Sequence, residues 1–477
     1  MSTTSTVPSI PLIVDLDGTL LRSDLLHESV LELARGTPHL MFLLPFWLAK
    51  GKAKLKQELA RRVRLDIAAL PFDSRVLDWI ETQRSTGRKV VLCTASDEKL
   101  AHQVAQHLGV FDDVMASNGV VNLSRDQKRA ALVERYGAEG YDYAGNSSAD
   151  LPVWSAARRA IVVGPARLRR IARARFAVEH EFATSAGGIR AWFKTLRVHQ
   201  WVKNLLIFLP LLGAHRLFDA ASLLQASIAF VAFSLCASSV YVVNDLIDLE
   251  SDRRHPRKKN RPLAAGIVSP IAASLAVVAI AATAGVFALR VNLVFASWLA
   301  AYFALTVAYT FWLKRKVVFD AITLACLYSL RVLAGGAAVG LAPSSWLLAF
   351  CLFLFLSLAF VKRFSELQTL LAQNRKATDT RDYRTSDLVL VEMMGVASGF
   401  IAVMVLALYI NGDSVLKLYR YPSIMWLTVP IFLYFVCRMW VKAHRGEMHD
   451  DPVVYAFRDR VSLIAGSLFL VVMWGAA

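Results

Sequence analysis

Residues 11–20 read Pro-Leu-Ile-Val-Asp-Leu-Asp-Gly-Thr-Leu, a short apolar run that ends in two aspartates and a glycine. The run Pro11–Val14 predicts a buried β-strand, and Asp15 and Asp17 follow at its carboxyl end. A carboxylate at Asp15 is suited to attack a phosphoryl group. A second carboxylate at Asp17 is suited to protonate the leaving oxygen and then to activate water. We therefore assign both aspartates as candidate catalytic residues.

The rest of the first half alternates short apolar runs with charged helical patterns, which predicts an α/β domain. Lys89–Cys93 predicts a second strand. Helices are predicted at Val76–Thr86, Lys128–Tyr136 and Arg167–Arg175. A linker near Thr184–Gly188 then divides the chain, and we predict a soluble domain over residues 1–185 and a membrane domain over residues 186–477.

These motifs resemble the haloacid dehalogenase superfamily over residues 10–180. Thr94 matches the hydroxyl that holds the phosphate in that family, and Lys128 matches its phosphate-neutralising lysine. The segment Gly145-Asn146-Ser147-Ser148-Ala149-Asp150 resembles the fourth motif, so the resemblance implies Mg²⁺ held by Asp15 and Asp150. Family members usually have an acid where this chain has Asn146, which removes one negative charge near the metal. A working phosphatase and a degenerate regulatory domain therefore both stay open.

An apolar stretch within the first half, Leu40–Leu48, is too short to span a bilayer. Lysines follow it at positions 50, 52, 54 and 56. This pattern suits a helical cap that touches a membrane surface. A cap helix buried in the soluble domain explains it equally well.

The second half has the composition of a membrane domain. The 477-residue chain is 56% hydrophobic with a mean hydropathy of +0.45, which is too apolar for one soluble globule. After Trp201 the apolar blocks reach membrane-spanning length, roughly 20 residues each. We predict an all-α polytopic domain with nine spans, centred on Ile207, Phe233, Ile280, Ala301, Leu327, Leu352, Val403, Ile431 and Leu468.

The net charge of +17 is concentrated in the loops that follow the second, fourth, sixth and eighth predicted spans. Basic loops of this kind meet anionic lipid and phosphorylated substrates. The soluble half has no basic face interleaved with aromatic residues, so nucleic-acid binding is not indicated. The positive-inside rule predicts an inner-membrane protein with a cytoplasmic N-terminus and an external C-terminus. The N-terminus lacks a signal-peptide pattern. The five cysteines are scattered singly, so neither a disulfide framework nor a zinc site is indicated.

The second predicted span ends in Tyr-Val-Val-Asn-Asp-Leu-Ile-Asp-Leu-Glu-Ser-Asp, residues 241–252. Acids crowded on one helix face repel each other unless cations occupy the site, and such oxygen ligands suit Mg²⁺ on a diphosphate. The alternative is an acidic helix end in the membrane interface. The basic run Arg253–Arg261 follows at once and favours the diphosphate site. The candidate metal ligands are Asn244, Asp245, Asp248 and Asp252.

This acidic pattern resembles the first motif of the UbiA superfamily of intramembrane prenyltransferases. Aromatic prenyltransferases of that family carry a second acidic pair after the sixth span. This chain has Lys362 and Arg363 there, followed by Tyr383 and Arg384, and the acids of the region are Glu366, Asp382 and Asp387. The additional positive charge indicates substrates that together carry more phosphate than one prenyl diphosphate.

Three segments resemble one branch of that superfamily, the polyprenyl-phosphate phosphoribosyltransferases: Leu196–Asn204, Arg254–Gly266 and Leu330–Gly336. The first departs slightly at Val198-His199, where the family usually has Arg-Pro. Arg331 is notable by itself, because a charge within an apolar span faces a cavity or a partner, or pairs with an acid on another span. The candidate substrate-binding residues of this half are Lys203, Asn204, Arg254, Lys259, Arg261, Arg331, Lys362, Arg363, Tyr383 and Arg384.

The resemblance implies Mg²⁺-dependent transfer of 5-phosphoribose from phosphoribosyl diphosphate to a polyprenyl phosphate, with release of pyrophosphate. The soluble domain would then remove the 5-phosphate of the lipid product. Two alternatives remain at this point: an aromatic prenyltransferase with a hydroxybenzoate-like acceptor, and a non-enzymatic lipid-binding or transport protein. The sequence also leaves open whether the chain is a monomer or a homo-oligomer.

Overall fold

The computed structural model describes residues 10–184, 188–255, 257–374, 382–412, 415, 419–448 and 451–476 of the chain. The contacts within the chain define two compact units. Unit 1 joins Met1–Leu196 to a later segment, Val242–Ala276, and unit 2 comprises Arg197–Tyr241 and Val277–Ala477.

Unit 1 is built on a six-stranded parallel sheet. Its strands in chain order are β1 (Leu12–Val14), β2 (Val90–Asp97), β3 (Asp113–Ser117), β4 (Asp142–Gly145), β5 (Arg159–Gly164) and β6 (Val178–Ala183). They pair in the order β3-β2-β1-β4-β5-β6, with Val14 of β1 opposite Leu92 and Ala144. Because all strands are parallel, the residues after β1, β2 and β4 meet at one edge of the sheet, where α/β proteins bind ligands.

Helices cover both faces of this sheet, and alternate residues of each strand supply their two cores. Leu12 and Val14 pack on one face, while Ile13 packs on the other with Val91 and Tyr143. The helices of the N-terminal part are α1 (Leu25–Gly36), α2 (Leu44–Ala49), α3 (Lys52–Arg62), α4 (Ser74–Ser85), α5 (Glu98–Leu108), α6 (Asp126–Tyr136), α7 (Leu151–Trp154), α8 (Ala166–Arg175) and α9 (Ile189–Thr195).

The predicted α/β domain is confirmed, and its predicted elements lie within a few residues of the observed ones. The predicted strand Lys89–Cys93 is longer in the structure, because β2 continues to Asp97. Between β1 and α4, the helices α1, α2 and α3 form a small cap with its own apolar core. The cap also contains a 3₁₀ helix at Pro38–Leu43.

The second half of the chain is helical, as predicted. Its helices are α10 (Leu209–Gly213), α11 (Ala220–Ile247), α12 (Leu249–Arg254), α13 (Pro270–Val291), α14 (Leu293–Phe311), α15 (Phe319–Val339), α16 (Ser345–Ala372), α17 (Leu388–Ile410), α18 (Thr428–His444), α19 (Pro452–Ala456) and α20 (Arg460–Ala476). Within the described part of the chain, seven helical segments are long and apolar enough to cross a membrane. They include α11, α13, α14, α15 and α16, then Thr385–Ile410 and Pro422–His444.

The predicted count of nine spans is not confirmed. The segment around Ile207 is a 3₁₀ helix, Val198–Phe208, followed by the five-residue α10. The segment around Leu468 is α20, which has 17 residues and is shorter than each of the seven segments named above. Hydropathy detects the apolar character of the first segment but carries no information about its hydrogen-bond pattern.

The glycines of the segment Leu330–Gly336 have a packing role. A Cβ atom at Gly335 would lie 2.1 Å from the carbonyl oxygen of Ile207, so only glycine admits that backbone against α15. This contact places Asn204 on the same side of α15 as Arg331, and the two side chains hydrogen bond. The glycine therefore helps to position the polar site of unit 2.

Candidate functional site

The soluble site lies where β1 ends. Gly18 has a φ of +77°, and a Cβ atom there would lie 2.0 Å from the amide nitrogen of Asn146. The turn after Asp17 therefore needs glycine both for its backbone conformation and for the approach of the fourth-motif loop. This packing brings together the segments that follow β1 and β4, as the sequence predicts.

Asp15 is held by a buried lysine. Lys128 Nζ donates hydrogen bonds to Asp15 Oδ1 (2.6 Å), to the carbonyl oxygen of Cys93 (3.1 Å) and to the hydroxyl of Tyr143 (2.9 Å). These three bonds use all three ammonium protons of Lys128. Burial raises the pKa of the Asp15 carboxyl to about 7, against the opposing charge of Lys128. A phosphate or a cation at this position would meet a preorganised carboxylate–ammonium pair.

Asp17 is held by donors from two neighbouring segments. The Ser96 hydroxyl donates to Asp17 Oδ2 at 2.6 Å, the Thr94 hydroxyl at 3.4 Å, and the backbone N–H of Leu25 donates to Oδ1 at 2.9 Å. Burial, followed by the charge of Asp24, raises the pKa of Asp17 to about 6. A carboxyl with a raised pKa is suited to hold a proton near neutral pH, as a general acid must.

Two polar residues near this site were missed in the sequence. Ser96 lies two residues after Thr94 on β2, so the period of a strand could have identified it. Lys56 comes from α3 in the cap, and its Nζ donates to the carbonyl oxygen of Ala95 at 2.6 Å. Burial lowers the pKa of the Lys56 ammonium, and the charge of Asp17 opposes this. The sequence groups Lys56 with the lysines at positions 50, 52 and 54 in a cap that touches a membrane surface, but the fold of the cap brings it to the sheet.

Asp150 organises its own loop. Its Oδ2 accepts hydrogen bonds from the backbone N–H groups of Asn146 (3.0 Å) and Ser147 (2.9 Å), and its Oδ1 accepts from the hydroxyl of Tyr143 (2.9 Å). Tyr143 and Lys128 thus link Asp150 to Asp15. Hard oxygen donors of this kind fit Mg²⁺, and a nearby cation would stabilise the buried Asp15 carboxylate. The role of Asp150 as a metal ligand stays a prediction.

Residues 242–252 of the acidic motif also belong to unit 1. The sequence predicts this motif on one helix face, but Asp248 lies between α11 and α12 and caps α12; its backbone N–H still donates to the carbonyl oxygen of Asn244 at 2.9 Å. Asp245 and Asp252 are both buried, and the guanidinium of Arg261 contacts both, at 3.0 and 2.5 Å. A cation therefore does neutralise these acids in the structure, and it comes from the basic segment that the sequence placed beside them.

One atom of this motif fits a metal ion. Asp252 Oδ1 is buried and accepts no hydrogen bond from the residues that the structure describes; the ammonium of Lys258 is 3.7 Å away. A buried carboxylate oxygen without a hydrogen bond destabilises the folded state unless a cation lies next to it. No cluster of three or more His, Cys, Asp or Glu side chains in metal-binding geometry occurs among the described residues. The fit thus rests on Asp252 Oδ1, and Asn244, Asp245 and Asp248 stay predicted ligands.

Other predicted basic residues of this segment point outward. Arg254 is 62% exposed and pairs with Asp66 and Glu250. Lys259 is exposed as well. Both stay predicted substrate-binding residues, and their exposed side chains have room to rearrange around a ligand.

Unit 2 contains a separate basic cluster. Lys203 Nζ and Lys362 Nζ lie 2.8 and 3.4 Å from Asp451 Oδ2. Burial alone would raise the pKa of Asp451, but the charges of Lys362 and Lys203 hold it well below its ordinary value. Asp451 was missed in the sequence, since it lies 248 residues from Lys203. The two predicted phosphate-binding lysines are thus brought together around an acid that nothing local indicates.

Arg331 lies beside this cluster and is 4% exposed. Its guanidinium donates to Asn204 Oδ1 at 2.8 Å and to the hydroxyl of Tyr302 at 3.1 Å. It also stacks over the ring of Tyr328, as does the ammonium of Lys203, at 5.2 and 5.8 Å from the ring centre. Arg331 therefore contacts neutral partners and aromatic faces, which leaves its positive charge uncompensated by these contacts.

The remaining predicted residues form a second cluster. Arg363 is 1% exposed and contacts Asp320 and Glu366. The Tyr383 hydroxyl donates to Asp320 Oδ1 at 2.7 Å. The Arg384 side chain is exposed. Arg363 and Tyr383 thus share Asp320, which like Asp451 is an acid outside the predicted site residues.

Known proteins are similar to both halves of the chain. The UbiA prenyltransferase family model matches residues 206–458, and the haloacid dehalogenase-like hydrolase model matches residues 12–155. The uncharacterized protein y4nM of Sinorhizobium fredii is 36% identical over 463 residues, which make up 96% of this chain and 89% of that protein. The nodulation protein NoeC of Azorhizobium caulinodans is 35% identical over 56% of this chain and 87% of its own length.

A third relative is similar over a shorter stretch. The decaprenyl-phosphate phosphoribosyltransferase of Mycobacterium tuberculosis is 41% identical over 180 residues. These residues make up 36% of this chain and 59% of that protein.

Proposed function

The chain belongs to the UbiA prenyltransferase family, and on that premise we propose that it transfers 5-phosphoribose from phosphoribosyl diphosphate to a polyprenyl phosphate. The observation that carries this proposal is the convergence of Lys203 and Lys362 on Asp451. Two ammonium groups at one point, with Arg331 on the same tyrosine ring as Lys203, suit substrates that carry several phosphates. The likeness to the phosphoribosyltransferase of Mycobacterium tuberculosis supports the same reaction.

We propose that Asn244, Asp245, Asp248 and Asp252 would hold Mg²⁺, which is supported by the buried Asp252 Oδ1, an atom that accepts no hydrogen bond within the described part of the chain. Bound there, the ion would stabilise the negative charge of the departing pyrophosphate. Arg261 contacts two of these acids and would exchange that contact for a phosphate when the substrate binds.

The basic side chains position the substrates and neutralise them. The bond between the anomeric carbon and the pyrophosphate oxygen breaks, and its electron pair leaves with pyrophosphate. A phosphate oxygen of the lipid supplies the electron pair of the new bond to that carbon. No protein nucleophile is required, so positioning and charge provide the catalysis. The residues proposed to contact phosphate or ribose are Lys203, Asn204, Arg254, Lys259, Arg261, Arg331, Lys362, Arg363, Tyr383 and Arg384.

The test is transfer of label by the purified protein in detergent, with Mg²⁺, labelled phosphoribosyl diphosphate and a polyprenyl phosphate. Label should enter the lipid fraction with the native chain and with Asp219→Ala, an exposed acid of unit 2. It should not enter with Asp248→Ala. Absence of transfer, together with prenylation of 4-hydroxybenzoate from a prenyl diphosphate, would instead establish the aromatic prenyltransferase.

For the soluble site we propose a phosphatase that removes the 5-phosphate of the lipid product. Asp15 attacks phosphorus while the ribose oxygen leaves with a proton from Asp17. Water, deprotonated by Asp17, then hydrolyses the aspartyl phosphate. Lys128 would orient Asp15, and Thr94, whose hydroxyl lies 3.4 Å from Asp17 Oδ2, would contact the phosphate. Mg²⁺ held by Asp15 and Asp150 would neutralise the phosphate during attack.

Asp15→Asn tests this second reaction in the same assay. The 5-phosphorylated lipid should accumulate with this variant, whereas Asp126→Asn, an exposed acid of α6, should give the native product. An unchanged product distribution with Asp15→Asn would favour a regulatory role for the soluble unit.

The chain is an integral membrane protein. We propose that its N-terminus lies in the cytoplasm and its C-terminus outside, because the basic loops follow alternate apolar segments.

A further inference from the structure

The cap of unit 1 contains an apolar stretch with one buried side. Residues Pro38–Ala49 form the 3₁₀ helix Pro38–Leu43 and then α2. Trp47 is buried in the cap core, where Leu33 and Leu59 surround it, and the guanidinium of Arg62 stacks on its ring at 4.7 Å. This side of the stretch is therefore an ordinary packed surface of the cap.

The opposite side is also apolar, and it is exposed. Phe42 is 80% exposed, Phe46 67%, Leu48 50% and Leu43 38%. Every residue from Leu40 to Ala49 is apolar. A helix on the surface of a soluble domain normally carries polar residues on its outer side. A stretch that is apolar on both sides therefore indicates a second apolar environment besides the core of the cap.

The charges that flank this stretch along the chain are positive. No aspartate or glutamate occurs from residue 33 to residue 57, while Lys50 and Lys52 follow the apolar stretch and are exposed. An apolar surface beside exposed lysines is complementary to a bilayer with anionic headgroups. A surface that bound a second, equally basic copy of itself would place these lysines near one another.

We propose that Phe42, Leu43, Phe46 and Leu48 insert into the interfacial layer of the bilayer that holds the membrane helices, with Lys50 and Lys52 at the lipid headgroups. The stretch has 12 residues and so is too short to cross the bilayer. Residues of the same cap reach the soluble site, since Leu25 of α1 donates to Asp17. The cap therefore holds the soluble site at the membrane surface, where a lipid-anchored phosphate ester is within reach.

An environment-sensitive fluorophore tests this contact in the full-length protein. The label is attached to a Phe46→Cys variant and, as a control, to Val120→Cys, since Val120 is an exposed apolar residue (88%) outside the cap. The unmodified protein gives the background from its own five cysteines. Each protein is placed in nanodiscs containing anionic lipid, and the label is quenched either with nitroxide lipids or with aqueous iodide.

At position 46 we expect a blue-shifted emission, strong quenching by nitroxide lipids and at least a fivefold protection from iodide relative to position 120. Equal iodide quenching at both positions would show that the stretch faces water and would overturn the proposal. Protection from both quenchers, with a dimeric mass in detergent, would show that a second copy covers it and would also overturn it. Native transferase activity of the labelled variants, measured in parallel, shows that each is folded.

Discussion

The guanidinium of Arg253 donates two hydrogen bonds to the carboxylate of Glu28, at 2.9 and 2.7 Å, and both side chains are buried. Glu28 lies on α1 of the cap, and Arg253 lies on α12, one residue after Asp252 of the acidic motif. Glu28 also accepts from the hydroxyl of Ser23, in the loop that follows Asp17. A buried ion pair thus joins the neighbourhoods of the two motifs within unit 1.

Arg253→Ala should strongly destabilise unit 1. The substitution leaves the Glu28 carboxylate buried without its partner, which typically costs about 3–5 kcal/mol. Arg254→Ala is the matched control, because that guanidinium is 62% exposed and solvent screens its ion pairs, so its loss should destabilise unit 1 far less. Trypsin susceptibility of the N-terminal half against temperature measures both. Equal susceptibility of the two variants would contradict the importance of the pair.

Ser96→Ala should lower the phosphatase rate of the soluble site roughly tenfold. The lost hydrogen bond orients Asp17, and its free energy of about 1–1.5 kcal/mol corresponds to that factor. Ser155→Ala removes an exposed hydroxyl that bonds only locally, to the carbonyl oxygen of Pro152, and should leave the rate unchanged. Hydrolysis of the 5-phosphorylated lipid is the measurement, and a native rate with Ser96→Ala would rule out this orienting role.

Lys203→Met and Lys362→Met should each lower kcat/KM for phosphoribosyl diphosphate by tenfold or more, since a charge-assisted hydrogen bond contributes about 1.5–3 kcal/mol. Lys194→Met, on α9, should have no effect. Because both lysines contact one carboxylate, combining either change with Asp451→Asn should give effects that do not add. Strictly additive effects would show that the two lysines act independently of Asp451.

Asp73 should make unit 1 sensitive to strong acid. Burial alone would raise the pKa of Asp73, but its bonds to Arg75 and Arg22 lower it to about 2. A depressed carboxyl pKa adds stability above the unfolded value near 4 and loses it as the pH falls toward 2. Because both arginines are partly exposed, we expect the Asp73 carboxylate to contribute only about 1–2 kcal/mol to the free energy of unfolding. Asp73→Asn should abolish this component in thermal unfolding followed from pH 5 to pH 2; an unchanged pH profile would contradict it.

The segment before α11 should cross the membrane although it is not a long α-helix. The 28 residues of α11 rise about 42 Å and separate Ala220 from the acidic motif. The 3₁₀ helix Val198–Phe208 and α10 together rise about 30 Å, close to the thickness of the hydrocarbon layer. In intact cells, an impermeant maleimide should label Arg216→Cys but label Lys259→Cys only after the membrane is opened. Reaction of both in intact cells would refute this topology.

The soluble site was largely predictable from sequence because its parts follow strand ends. Parallel strands bring Asp15, Thr94 and Asp150 to one edge of the sheet, independently of how the other segments fold. Ser96 could have been found from the two-residue period of β2. Lys56 could not, since its position depends on how the cap folds onto the sheet.

The site residues of the membrane half were less predictable, because their partners come from distant parts of the chain. Spacing along one helix indicated the acidic motif, and a charge within an apolar span indicated Arg331. The partners of the basic residues come from distant segments, as Asp451 and Asp320 do, and no local pattern marks them. Apolar content likewise predicted a span at Ile207 but not its 3₁₀ geometry.

The inclusion of Val242–Ala276 in unit 1 has a consequence for how the chain is made. The ion pair between Glu28 and Arg253 joins residues 225 positions apart. The ribosome completes the sheet of the N-terminal half well before Arg253 is synthesised. Glu28 therefore has no arginine partner until α11 and the residues that follow it have been synthesised. The soluble unit is thus completed only by residues that follow a helix of membrane-spanning length, so its final packing comes late in synthesis.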